Sequence, residues 1–441
     1  MSQSFVKKGY DTMKKTSLAS LLVLTTATAY SAGFSLYEPS TYATAMGGAL
    51  LGKGHDGSAN TINPATLTDI TNFTVTVGFV TEHPRARVKT ANGGSSPMDP
   101  GFFVLPHAHI VAPLPMDFTF GFGMGADYGL GTHYTKDFST SWNSQETTIQ
   151  GFVFNPNLAY KVTDKWSVAA GARCLYFDFE QYSYPFAGTG VDRLTRAYGM
   201  YTDLEHARQH LKGDNNGRNW GWQLGTSYKI RDDLSVGAVY KSRILTHVRG
   251  KTSLHPSNQQ VIQGMSRLGY DYTFLSGPAS ANLEIPQSVA FGANWDITDK
   301  LHFGSAVTWT DWSSIDTIHF ILGPNRRDNP KHLGWHDSWR FSFAPSYDFT
   351  ENWTGMMSYV YDTNVCSSNQ ESTMLPPGDR HILSWGLAWK ATENLEFDLC
   401  YSLVLMQSSS MHSTDPTRGD FRLECHRGLS HAGGFSVTYR F

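Results

Sequence analysis

The chain has 441 residues, of which 40 % are hydrophobic, 13 % aromatic and only 17 % charged, and its net charge is −3. Soluble domains carry about 25 % charged residues, so this composition favours a protein in contact with lipid. The negative net charge argues against a nucleic-acid partner. Four cysteines are too few for a disulfide scaffold, and none has the Cys-x-x-Cys spacing of a metal site.

A continuous apolar run near the N-terminus predicts an export signal. Lys14 and Lys15 precede the run, residues 18–29 form it, and Ala29-Tyr30-Ser31 offers small residues for cleavage. About a dozen residues are too few to span a bilayer. We therefore expect residues 1–31 to be a signal peptide with an upstream extension. The alternative is a buried core helix.

Residues 32–72 lack the strand pattern of the remaining chain. They are rich in Gly, Ala, Ser and Thr, and residues 43–51 have the composition of a short helix. Such a segment before the first strand predicts either a periplasmic extension or a plug inside a barrel. A wide barrel has an aqueous lumen unless something fills it. We expect the plug, which is called the hatch below.

Residues 73–441 alternate between apolar and polar side chains with a period of two. Leu395, Phe397 and Leu399, for example, alternate with Glu396. This pattern predicts strands with one face towards lipid and one towards a lumen. About fourteen strands are expected, at 73–82, 105–112, 117–126, 149–161, 166–180, 219–229, 234–245, 283–296, 301–311, 338–348, 353–362, 380–390, 395–404 and 433–441.

The connections between these strands alternate between short and long. Six tight turns separate seven long loops, which are 83–104, 127–148, 181–218, 246–282, 312–337, 363–379 and 405–432. A soluble sandwich has no reason to segregate its loops by length, whereas an outer-membrane barrel has periplasmic turns and extracellular loops. We therefore expect residues 73–441 to form an outer-membrane β-barrel. Residues 191–211 of one loop have helical spacing.

Aromatic residues cluster at both ends of the predicted strands, as expected for two membrane interfaces. Beside the short turns lie Trp166, Trp353, Trp389, Tyr439 and Phe441, and beside the long loops lie Trp220, Trp309, Trp312, Trp339 and Tyr361.

Four short motifs occur in order along the chain: Ala32-Gly33-Phe34-Ser35-Leu36, Asn60-Thr61-Ile62-Asn63-Pro64-Ala65, Asn155-Pro156-Asn157-Leu158-Ala159-Tyr160-Lys161 and Pro377-Gly378-Asp379-Arg380. Together they resemble the FadL/TodX family of outer-membrane transporters for long-chain fatty acids and other hydrophobic compounds. The fourth motif lacks the first Asp of the family's Pro-Asp-x-Asp-Arg. The likeness covers nearly all of the chain after the expected cleavage site.

The resemblance implies an all-β fold, a fourteen-stranded barrel with its hatch in the lumen, and a hydrophobic ligand. Asn63-Pro64-Ala65 corresponds to the family's hatch motif. The resemblance also implies lateral release into the membrane at a kinked third strand, which here contains Gly121, Gly123 and Gly125. Glycine permits a kink or a close backbone approach. The alternative is that these glycines make room for the hatch.

The family's ligand site, as the resemblance implies, combines an N-terminal Phe with basic residues. Phe34 matches the first of these. One position where a basic residue is expected holds Asp178, while strand parity turns Arg173 towards the lumen. A buried cation needs an anion, either a ligand carboxylate or a carboxylate of the hatch, and the structural pairing is favoured. The ligand is then a long-chain fatty acid or another hydrophobic small molecule.

Two other functional classes are compatible with a barrel, namely a general diffusion porin and a barrel enzyme. Catalytic triads are spatial, but no G-x-S-x-G, H-E-x-x-H or phosphate-binding glycine motif occurs, so no enzyme and no cofactor are expected. His107 and His109 share a strand face and could bind a metal, although a structural role is favoured. Cys366 and Cys425 lie in adjacent extracellular loops and could form a disulfide. We expect a monomer surrounded by outer-membrane lipid.

Overall fold

The computed structural model describes residues 33–90, 94–99, 101–136, 138–199, 203–217, 219–255, 269, 271–368, 373–375, 378–415 and 419–441. The expected signal peptide, Ala32 at the start of the first motif and of the expected hatch, and Pro377 of the fourth motif lie outside the described residues. Within these ranges, no helix combines the length and the apolar character needed to cross a bilayer.

Strands dominate the described chain. The helices are α1 (Thr41–Ala45), α2 (Ala59–Ile62) and α3 (Val191–Ala197), with 3-10 turns at Pro64–Asp69, Thr273–Leu275 and Trp312–Ser314. The strands are β1 (Thr74–Thr90), β2 (Ser95–Met98), β3 (Phe103–Pro113), β4 (Phe118–His133), β5 (Glu146–Lys161), β6 (Trp166–Ser183), β7 (Arg208–Asp214), β8 (Asn219–Arg231), β9 (Leu234–Lys241), β10 (Ile244–His255), β11 (Gly277–Ile285), β12 (Ser288–Asp296), β13 (Leu301–Thr310), β14 (Thr317–Leu322), β15 (Arg327–His332), β16 (Ser338–Thr350), β17 (Trp353–Asp362), β18 (Arg380–Lys390), β19 (Leu395–Met406), β20 (Ser409–Asp415) and β21 (Gly419–Arg440).

Fourteen strands form a closed antiparallel barrel, so the predicted fold class is confirmed. Their order around the wall is β1, β3, β4, β5, β6, β8, β9, β12, β13, β16, β17, β18, β19 and β21. The wall closes where Thr74 of β1 pairs with Arg440 of β21. The other strands of the described chain lie in or next to the long loops, and they extend the wall at the end of the barrel that carries those loops.

The wall has the inverted polarity of a protein in lipid. Leu399 and Tyr401 on β19 are 55 % and 44 % exposed, whereas Glu396 and Asp398 on the opposite face are fully buried. Lipid solvates the apolar face, and the lumen holds the polar one. Exposed aromatic side chains lie at both ends of the wall strands. Trp389 lies near a short turn, and Trp339 lies near a long loop.

Two predictions for the long loops are wrong in detail. Trp312 is fully buried instead of facing lipid, because β13 ends at Thr310 and a 3-10 turn directs the indole into the barrel. The helix predicted for residues 191–211 ends at Ala197. Residues 208–214 form β7 instead, since this segment is hydrogen-bonded on both sides, by β6 and by β10.

The hatch lies in the lumen, where it contacts strands from several sides of the wall. The amide of Asn294 on β12 donates to the carbonyl oxygen of Ala49 at 2.8 Å. The hydroxyl of Ser342 on β16 donates to the carbonyl oxygen of Gly47, also at 2.8 Å. Ser40 is the N-cap of helix α1, because its side chain accepts from the backbone N–H of Ala43.

Candidate functional site

Asn63 fixes the turn between α2 and the following 3-10 helix. Its side-chain oxygen accepts from the backbone N–H of Ala65, and Pro64 stands at the first position of that helix, where its missing N–H leaves no bond unmade. The Asn63 amide donates to the carbonyl oxygens of Leu51 at 2.6 Å and of Thr226 on β8 at 3.0 Å. One buried side chain therefore orders the turn and ties it to the wall.

A network of buried amide side chains forms a second attachment of the hatch. The Asn60 amide donates to the carbonyl oxygen of Asn155 on β5 at 2.7 Å and accepts from the Asn157 amide at 2.8 Å. Gln223 on β8 donates to the carbonyl oxygen of Asn60 at 3.0 Å. Asn60, Asn155 and Asn157 belong to the motifs quoted above, but the sequence indicated no role for these residues or for Gln223. Amides at lumen-facing positions of otherwise apolar strands were the available signal.

The glycines of β4 differ in what they do. A Cβ on Gly121 would lie 2.3 Å from the side-chain oxygen of Asn60, and a Cβ on Gly123 would lie 2.7 Å from the Asn60 amide nitrogen. Real Cβ atoms do not come this close, so these two positions admit the hatch. A Cβ on Gly125 would meet nothing nearer than 3.8 Å, at Asp127. Close packing therefore accounts for two of the three glycines.

The wall is irregular immediately after Gly125. Asp127 forms a β-bulge in the pairing of β4 with β5. On its other edge, β4 pairs with β3 only as far as the Gly125–His107 pair. Beyond that point its partner is the N-terminal segment of the hatch. The Leu36 N–H donates to the Asp127 carbonyl oxygen, and the Gly129 N–H donates to the Phe34 carbonyl oxygen, both at 2.8 Å.

Phe34 lies at the centre of the largest apolar cluster of the described chain. It is 1 % exposed, and its ring centroid is 4.8 Å from that of Trp312. A narrow cavity adjoins this cluster. Of the described residues that line it, only Lys212 is charged, and Lys212 is exposed while its neighbour Leu211 is buried. The other lining residues include Leu130, Ile149, Phe177, Phe179, Val248, Phe320, Trp335 and Leu375. This space is called the chamber below.

A small group of charges lies next to Tyr128, whose ring centroid is 6.1 Å from that of Phe34, and none of the group lines the chamber itself. Arg173 is 2 % exposed and donates to the hydroxyl of Tyr128 at 2.7 Å, and its guanidinium is 3.7 Å from the carboxylate of Asp127. Lys241 on β9 lies close enough to Asp127 and Arg173 to interact with both charges. The anion next to Arg173 therefore comes from the wall and not from the hatch. Two basic side chains therefore lie near one carboxylate.

Ion pairs attach the hatch to the end of the barrel at which the short turns lie. His55 is 2.7 Å from one Glu396 carboxylate oxygen, and Arg440 donates to the other at 3.1 Å. Burial opposes protonation of the imidazole, but the Glu396 carboxylate outweighs it and raises the pKa of His55. Lys53 adds an ion pair to Asp296 at 2.7 Å. The hatch is thus attached to the wall by ion pairs near the short turns and by the amide network around Asn60.

The two histidines of β3 are buried against the hatch. His107 is 3 % and His109 is 1 % exposed, and the His109 ring approaches the carbonyl oxygen of Pro39 at 2.7 Å. Neither forms part of a cluster of three potential metal ligands in the described chain. The cluster that does occur there, Asp192 with Asp203 and His206, lies in a long loop. The geometry fits the structural role of the histidine pair.

The disulfide between Cys366 and Cys425 is not formed, because the two thiols pack in separate apolar clusters. Cys366 belongs to the cluster around Phe34, and its thiol approaches the carbonyl oxygen of Leu375 at 3.8 Å. Cys425 is buried in a second cluster, together with Met406.

A fourteen-stranded barrel with an internal hatch and a dry chamber defines a class, the outer-membrane transporters of hydrophobic compounds. Residues 22–441 match the family model described as outer membrane protein transport protein (OMPP1/FadL/TodX). The chain belongs to this family. It is an outer-membrane protein, and the resemblance that its motifs suggested is confirmed.

Known relatives and solved structures agree with this assignment. A long-chain fatty acid transport protein of Escherichia coli is 26 % identical over 407 residues, which is 87 % of this chain and 89 % of the relative. The crystal structure of a Pseudomonas aeruginosa FadL homologue has a TM-score of 0.79 at 20 % identity and covers 93 % of this chain and 100 % of its own. The Ralstonia pickettii toluene transporter TbuX has a TM-score of 0.66 at 17 % identity, with 93 % and 99 % covered. At these identities, the structural likeness concerns the fold.

Proposed function

We propose that this protein is a passive, hatch-gated channel for hydrophobic molecules, with long-chain fatty acids as its substrates. The observation that carries the proposal is the dry chamber against Phe34 with two cations and one carboxylate beside it. Burial contributes about 0.8 kcal/mol per CH₂, so ten methylene groups contribute about 8 kcal/mol. The tail therefore provides most of the affinity, and the charges select the head group.

The head group is the point on which two kinds of ligand differ. A fatty-acid carboxylate would join Arg173 and Lys241, where one carboxylate is present for two cations. A neutral aromatic hydrocarbon needs only the apolar lining, and the toluene transporter among the structural relatives supports that second candidate. The names of the sequence relatives favour the fatty acid.

The exit route in this proposal is lateral, between β3 and β4. The two strands part beyond His107, and the hatch segment at Phe34–Leu36 occupies that edge with two backbone hydrogen bonds. A hydrogen bond contributes a net of about 0.5–1.5 kcal/mol, so displacement of the segment costs about 1–3 kcal/mol in bonds. Thermal motion reaches such energies readily, and a ligand in the chamber adjoins this segment.

The remaining features of the proposal concern the protein as a whole. Residues 1–31 are removed on export, the hatch comprises residues 32–72, and the barrel comprises residues 73–441. The protein acts as a monomer in outer-membrane lipid, without a cofactor and without enzymatic activity. Its relatives are named as transporters, which supports this view.

Uptake of labelled oleate and toluene tests the proposal, in cells that lack other such transporters. Phe34→Ala should lower the uptake of both compounds while the barrel still folds, because it removes a wall of the chamber. Phe102→Ala is the matched control, since Phe102 is 70 % exposed. Asn63→Ala should loosen the hatch and raise the leak of small polar solutes. A parent protein that carried neither compound but passed small sugars would establish the porin alternative.

Arg173→Met separates the two ligands. It retains an unbranched side chain and removes the cation, so oleate uptake should fall while toluene uptake stays near that of the parent. Equal loss of both would assign Arg173 a purely structural role, and loss of neither would remove the head-group site from the proposal.

A further inference from the structure

A second cavity opens through the side of the barrel, between β11 and β14. Strand β11 is paired with β10 along its whole length, but with β14 only over Ala279–Ala281. Beyond Ala281 the facing edges of β11 and β14 separate. The resulting slot is lined by residues of β10, β11 and β14 and of the segment before β14.

The slot adjoins the chamber. Leu283 on β11 and Ile318 on β14 line both cavities, and they are 7 % and 9 % exposed. These side chains therefore form a shared wall. The outer lining is more polar, with His247, Asn282, Glu284, Ser314 and Thr317. Thr246, also in the lining, is 2 % exposed, and its hydroxyl has no hydrogen-bond partner within the described chain.

Charged residues place the slot beyond the hydrocarbon core of the membrane. Arg243 pairs with Glu284 at 2.9 Å and approaches Asp311 at 3.7 Å, at the junctions where β9 continues into β10 and β13 ends. Charges of this kind are costly in hydrocarbon. The slot begins at this level and continues towards the long loops, so it faces the lipid head groups and the water above them.

We propose that this slot is a lateral entrance to the chamber, for hydrophobic molecules that carry at most a small polar head. The proposal rests on the transport function proposed above and adds the point of entry. The polar rim keeps a head group solvated while the tail passes between Leu283 and Ile318. The strand edges are already apart here, so entry needs the rotation of two side chains and breaks no pairing between β11 and β14.

The test compares two tryptophans on one strand. Thr317→Trp fills the slot from its rim, whereas Ile321→Trp adds the same side chain where β14 is paired with Ser280 of β11 and lies outside the slot. Each is combined with Leu283→Cys in a parent whose four native cysteines are replaced by serine, and the rate at which N-ethylmaleimide labels the single remaining thiol in intact cells is measured. Thr317→Trp should slow labelling several-fold, and Ile321→Trp should leave it unchanged. Equal rates in the two variants would overturn the entrance.

Uptake of labelled oleate and toluene by the two tryptophan variants completes the test. Thr317→Trp should reduce uptake, and Ile318→Ala, which thins the shared wall, should accelerate both labelling and uptake. Slowed labelling with unchanged uptake would overturn the slot as a transport route. A parent that takes up neither compound, while its labelling pattern stays as expected, would overturn the proposed transport function and leave the opening into the chamber supported.

Discussion

Replacing Asn60 with Leu tests whether buried amides hold the hatch in place. Leucine has nearly the shape of asparagine but no polar atoms. The change removes the bond to the Asn155 carbonyl oxygen at 2.7 Å and the bond from the Asn157 amide at 2.8 Å. The Asn157 amide keeps the Asn155 side-chain oxygen at 3.0 Å, and the Asn155 carbonyl oxygen keeps the Asn157 amide at 3.2 Å, so both groups of the wall retain a partner. The cost is therefore the net value of the two lost bonds, about 0.5–1.5 kcal/mol each, and hatch docking weakens by about 1–3 kcal/mol.

A loss of this size increases the undocked population of the hatch between about fivefold and a hundredfold, at 1.4 kcal/mol per factor of ten. The assay is the ion conductance of the purified protein in planar bilayers. Asn60→Leu should show frequent open events that are rare in the parent protein. Asn72→Leu is the matched control, because Asn72 is exposed and its side-chain amide bonds only to the Phe441 carbonyl oxygen and to the hydroxyl of its neighbour Thr71, away from the centre of the hatch. Equal conductance of the two variants would refute the role of the amides.

Three further predictions concern the hatch and the thiols. Gly123→Ala should displace the hatch and raise conductance, because its Cβ would lie 2.7 Å from the Asn60 amide nitrogen, while Gly433→Ala, with no neighbour nearer than 3.8 Å, should not. Protonated His55 stabilises docking of the hatch, and because its pKa is raised, this contribution is complete below the unfolded pKa of about 6.5 and is lost as pH rises through the folded pKa. Conductance of the parent should therefore rise with pH, and Glu396→Gln should remove that dependence. Cys366 and Cys425 should both react with a maleimide when the protein is unfolded without reductant, and protection of the pair would contradict the structure.

The strand positions followed from the sequence because each wall strand records its environment locally. Lipid on one face and the lumen on the other impose a period of two, which Leu399 and Asp398 illustrate. The lumen-facing position of Arg173 followed from the same alternation. Its partner did not, because Asp127 stands at a bulge, and an inserted residue interrupts the alternation on which parity depends.

The sequence by itself determined the barrel, its strand count, its separation of turns from loops and the family to which it belongs. These properties depend on the local period and on short motifs. Only the tertiary structure decided that Trp312 lines the cluster around Phe34, that Asn60 joins three amides of the wall, and that the edges of β11 and β14 separate. Those contacts join residues distant in the chain, and their geometry depends on how the barrel closes around the hatch. No local pattern records that closure.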